Sequence, residues 1–111
     1  MIQITGYQFL RTISTTHAHV KKTAMQLQFR YDDISSVTTD TIKTVANEAL
    51  KKSDLSRQLD LKTKFGTCSA SDARTEKTLL KAISDSTDAD SLNTGMTSLL
   101  SLYGKLSEAK A

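Results

Sequence analysis

The chain has no proline and no tryptophan, one cysteine, four glycines and three each of tyrosine and phenylalanine in 111 residues. A single thiol, Cys68, closes no internal disulfide. That excludes a small secreted scaffold held by cross-links and leads us to expect a reducing setting, cytoplasmic or within a virion. No apolar run approaches the ~20 residues of a membrane span. The opening Met1–Gly6 lacks the basic stretch and apolar core of a secretory signal, so export by that route is not expected. Glycines stand only at 6, 66, 95 and 104, too far apart to cradle a phosphate in a glycine-rich loop.

Scarce aromatics place the burden of the core on aliphatic side chains. The hydrophobic fraction of 38% and charged fraction of 24% are those of a folded chain rather than a disordered one. A net charge of +3 is a mild basic bias without a polybasic run. The length suits one domain over residues 1–111. With proline absent, breaks must come from polar clusters, and three stand out: Asp32-Asp33 with Ser35-Ser36, Ser53-Asp54, and Asp85-Ser86-Thr87-Asp88.

Met25-Gln26-Leu27-Gln28-Phe29-Arg30-Tyr31 alternates apolar and polar residues, the period of a half-buried strand. Arg57–Phe65 does the same and stops at Gly66. Ile2–Thr5 and Tyr7–Phe9 form shorter versions on either side of Gly6, where a bulge would shift the register. Residues 7–14 and 23–31 would then pair as antiparallel strands. A rival pattern covers the same stretch: Leu10, Ile13, His17, Val20, Ala24, Leu27, Tyr31 and Ile34 follow helical spacing. It requires burial of His17 and leaves Met25 and Phe29 off the stripe, so the strand reading is preferred. Helices are expected at Thr38–Lys52, Ser71–Ser84 and Asp90–Ala109, with Thr38, Thr39 or Asp40 capping the first and Ser69 and Asp72 spaced as a capping box for the second. The expected class is α+β: antiparallel strands mainly in the N-terminal third plus one later strand, a central helix and two C-terminal helices. An all-α bundle is the alternative.

No catalytic, cofactor or metal motif emerges. His17 and His19 could reach one metal from a strand, but no further ligand has recognisable spacing. Cys68 has no visible base. Asp85, Asp88 and Asp90 lack the glycine and the bidentate glutamate of a calcium loop and read as helix caps. Two surfaces are candidates. On the last helix Leu92, Met96, Leu99, Leu100, Leu102, Tyr103 and Leu106 cover a sector of about 160° at 100° per residue, wider than one domain needs. Leu99, Leu100, Leu102, Tyr103 and Leu106 are therefore expected to meet a partner, with Gly104 allowing close approach. On a sheet, Gln26, Gln28, Arg30, Lys62 and Lys64 would share a basic face suited to nucleic acid. The expectation is a non-enzymatic interaction or assembly protein, a homo-oligomer through its last helix, of a kind found in phages or mobile elements. Nucleic-acid binding is the alternative.

Overall fold

The computed structural model describes residues 2–110, and the side chains of residues 3–109. Over that span the chain forms six α-helices: α1 (Ile2–Thr16), α2 (His19–Gln26), α3 (Thr39–Ala49), α4 (Asp54–Phe65), α5 (Ala70–Asp85) and α6 (Ala89–Lys110). A 3₁₀ turn, Ile34–Ser36, precedes α3. Among the described residues no sheet exists; the nearest approach is an isolated bridge between Arg30 and Asp33. The architecture is all-α, and the α+β expectation is corrected.

The error has a specific cause. In α4 the buried positions are Arg57, Leu61 and Phe65, a helical stripe with a charged member at its head. Read as polar, Arg57 breaks the stripe, and Leu59 then completes an apparent alternation although it stands exposed on the opposite side. Met25 and Leu27 mislead in the same way. Both are exposed, and the chain leaves α2 between them before Gln28 takes a left-handed conformation and Phe29 turns inward. The rival helical spacing describes the first third better. Leu10, Ile13, His17, Val20 and Ala24 are all fully buried, His17 in the short break after Thr16 and the others on the two helices it separates.

The polar clusters are breaks because their side chains satisfy the free N–H groups of the next helix. Thr38 caps α3 through the amide of Thr41, Ser53 caps α4 through Ser56, and Ser69 caps α5 through Asp72. Asp33 accepts from Ser35 at the 3₁₀ turn, and Asp88 accepts from the amide of Ser91 at the head of α6. Gly66 ends α4 at φ 81°, the left-handed conformation that glycine adopts without strain.

The helices share one core. Helix α6 packs on α5 and α1, α5 also covers α3 and α4, and α2 lies against α3 and α1. Gly6, expected at a strand bulge, instead lets α1 approach the segment leading into α3. A Cβ there would lie 2.7 Å from Val37 Cγ1 and 2.8 Å from Ile42 Cδ1, both buried. Gly104 neither ends α6 nor brings a helix close: its missing Cβ meets nothing within 4 Å, and the helix runs on to Lys110. The two glycines give a paired expectation. Gly104→Ala should stabilise by about 0.5–1 kcal/mol through helix propensity. Gly6→Ala gains the same propensity but overpacks a full core and should lose about 1–3 kcal/mol net. Urea denaturation of both variants checks the opposite signs.

Candidate functional site

His17 follows the last residue of α1, at a point where helices α4, α5 and α6 converge. Its Nδ1 lies 3.0 Å from Asp60 Oδ2 and its Nε2 lies 2.8 Å from Glu76 Oε2. The same Glu76 oxygen accepts the Tyr103 hydroxyl at 2.8 Å, and Asp60 accepts Lys52 Nζ at 3.1 Å. Arg57 approaches from α4 with Nε 3.9 Å from Glu76 Oε1; neither of these two atoms has a hydrogen-bond partner. The Arg57 guanidinium is anchored elsewhere, Nη1 donating to the Lys52 carbonyl at 2.6 Å and Nη2 to Asp54 at 2.7 Å. The side chains of His17 and Glu76 have no exposed surface, and that of Arg57 has 1%.

Burial alone would push the His17 pKa down. The hydrogen bonds and charges of Glu76 and then Asp60 outweigh it, so the net shift is upward and the doubly protonated imidazolium faces a carboxylate on each side. Asp60, although burial opposes it, is held below the usual aspartate range by His17 and Lys52. Tyr103 is pushed well above the usual phenol range by burial and by Glu76. This arrangement ties four helices; it leaves His17 without a free nitrogen for acid-base work or for a metal. His19 stands apart, with Nε2 3.2 Å from the Glu48 carbonyl, and its pKa is lowered chiefly by burial.

Cys68 is buried, and burial followed by the charges of Asp72 and Glu76 raises its pKa, the reverse of an activated thiol. Asp88 caps α6, Asp85 ends α5 and Asp90 lies in the first turn of α6, as helix-end residues. The leucine-rich face expected to meet a partner lies largely inside: Leu99, Leu102, Tyr103 and Leu106 are buried in the chain's own core. Only Leu100 is partly open, on a depression it shares with Arg11, Lys64 and Phe65. Gln26, Gln28 and Arg30 are exposed around the end of α2, and Lys62 and Lys64 are exposed on α4. The sheet on which they were expected to share a face is absent among the described residues.

The structure instead brings Lys64 together with cations that the sequence did not single out. A depression between α1 and α6 is lined by Arg11, Thr15 and Lys64; a second is lined by Arg11, Ser14, Thr15, Ala18, Lys21 and Tyr31; a third holds Ala18, Lys21, Lys22, Met25 and Gln26. Neighbouring depressions share residues, so they follow one another along α1 and α2. None has a carboxylate in its lining, and Arg11, Lys21, Lys22 and Lys64 make no ion pair among the described residues. The signal available in sequence was Arg11, Lys21 and Lys22 falling off the buried stripe of α1 and α2.

The chain matches no protein-family model, no curated protein and no solved structure. Among the described residues no helix is long and apolar enough to cross a membrane.

The buried network predicts a signed pH dependence. His17 has a folded pKa above its unfolded value of about 6.5, so its stabilisation is complete below that value and is lost as pH rises through the folded pKa. Asp60 has a lowered folded pKa, so its contribution holds above about pH 3.9 and disappears as pH falls through the folded value. NMR titration of the two imidazoles should place His17 above 6.5 and His19 below it. Glu76→Gln, which keeps an acceptor for Tyr103, should move His17 downward. A His17 that titrates with His19 would contradict the ion-pair account.

Proposed function

We propose that this chain is a non-catalytic interaction protein that self-associates through the exposed face of α4, in a reducing setting such as the cytoplasm or a virion. The observation behind this reading is the exposure of Leu55 and Leu59, at 77% and 62% the most open large apolar side chains among the described residues. Four residues apart on one helix, they project side by side. The core does not use them, and burying each would contribute about 1.5–3 kcal/mol.

A second copy of the chain is the occupant that the surrounding chemistry favours. Antiparallel crossing of two α4 helices about the midpoint of Leu55 and Leu59 sets each Leu55 beside the other copy's Leu59, so one apolar patch meets itself, as a two-fold interface requires. Beside Leu55 lies a notch of about 220 Å³ formed by Asp54, Leu55, Gln58, Ala70, Ala73 and Arg74, open to a partner's aliphatic side chain. This moves the contact from α6, whose apolar face is occupied within the chain, to α4. The buried, unactivated Cys68 and the fully committed His17 support a role in binding rather than catalysis.

Light scattering with size exclusion tests the reading. The parental chain should run as a concentration-dependent dimer, and Leu55→Glu with Leu59→Glu should give a folded monomer of unchanged helicity whose melting temperature no longer depends on concentration. Leu102→Glu, by contrast, places a carboxylate in the core and should cost several kcal/mol of stability. A parental chain that stays monomeric at high concentration, or a double variant that keeps the parental mass, overturns the α4 contact.

A further inference from the structure

We infer that the middle depression of the α1–α2 groove is a binding site for a phosphate group. Its volume is about 400 Å³, and its lining is Arg11, Ser14, Thr15, Ala18, Lys21 and Tyr31. This inference is independent of the α4 contact, since none of these residues belongs to that helix.

Several observations converge on the ligand's chemistry. Arg11 and Lys21 bring positive charge, and no carboxylate among the described residues neutralises either. Ser14 is 4% exposed, yet its Oγ makes no hydrogen bond, although a helical serine can readily turn to the carbonyl one turn earlier. The Tyr31 hydroxyl is likewise buried and unpartnered. An unsatisfied buried hydroxyl costs free energy, and such groups call for a missing partner. Both hydroxyls can donate, and a phosphate oxygen accepts from such donors while its charge is met by Arg11 and Lys21.

The site is held in place before any ligand arrives. The Tyr7 hydroxyl donates to the Tyr31 carbonyl. The Phe29 ring packs edge-on against Tyr31 at 5.1 Å and against Tyr7 at 6.0 Å. Lys21 Nζ sits 5.7 Å from the Tyr31 ring centre, which directs the ammonium over the cavity wall. On either side the groove continues to Lys64 and to Lys22, so a ligand with further phosphates in line would find a cation at each end. The shared chemistry is the phosphate group, borne either by a phosphorylated small molecule or by a nucleic-acid strand.

The experiment uses the full chain, labelled with ¹⁵N, titrated with inorganic phosphate and separately with a short oligothymidylate. Phosphate should shift the amide signals of Arg11, Ser14, Lys21 and Tyr31 together. Arg11→Gln with Lys21→Gln should abolish those shifts. Ser14→Ala should weaken phosphate binding about ten- to a hundredfold, one lost hydrogen bond to a charged group. The same variant should raise the melting temperature, because Oγ bonds nothing in the free protein and its burial is uncompensated. If oligothymidylate shifts the same residues and its affinity falls steeply with salt, a strand is the source of the phosphate. If phosphate binds and the oligonucleotide does not, a phosphorylated small molecule is the source. Absence of shifts at these residues in millimolar phosphate, or shifts that persist in the doubly substituted chain, overturns the site.

Discussion

The fold hangs on one charge held away from water. The imidazolium of His17 sits between Glu76 and Asp60, and Glu76 also takes the hydroxyl of Tyr103. Helices α4, α5 and α6 thereby meet the end of α1 through directional bonds, while the aliphatic contacts around them have no such preference. Taking two or three charges out of water is costly, and the attraction between them roughly offsets that cost when the geometry is good. The value of the arrangement is therefore in selection. A helix that slid by one turn would leave a carboxylate or an imidazolium buried and alone, at about 3–5 kcal/mol.

Helices α3, α5 and α6 were legible because their signals are local. Thr38, Ser53, Ser69 and Asp88 cap helices through amides only a few residues away, and Gly66 supplies a left-handed terminus. Such contacts are written in consecutive residues. The buried network is not, since His17 is 43 residues from Asp60 and 59 from Glu76. Without those partners in view, burying His17 counts against a helix, and Arg57 looks like a surface residue. Both are core members. The strand expectation for Arg57–Phe65 and Met25–Tyr31 follows from that single blindness, compounded by exposed leucines and a methionine that imitate alternation.

The residues responsible for the misreading are also the ones with functional interest. Leu55 and Leu59 lie outside the buried stripe of α4, and Met25 lies outside that of α2. A sequence shaped by its own core alone would place polar groups there. The face expected on α6 shows the complementary lesson: a wide apolar sector in a six-helix chain is filled by neighbours on several sides. Of the basic set expected on a sheet, Lys64 and Gln26 reach the groove along α1 and α2, at its two ends.

The docking of α1 against α6 also has a consequence for biosynthesis. His17 is translated long before Glu76 and Tyr103, and α1 finds one of its main packing partners only when the last helix exists. A nascent chain carrying α1 to α4 holds Asp60 but neither Glu76 nor Tyr103, so only one of the two carboxylates that flank His17 is present. The contacts that complete the core around α1 thus belong to the elements made last among those described, α5 and α6.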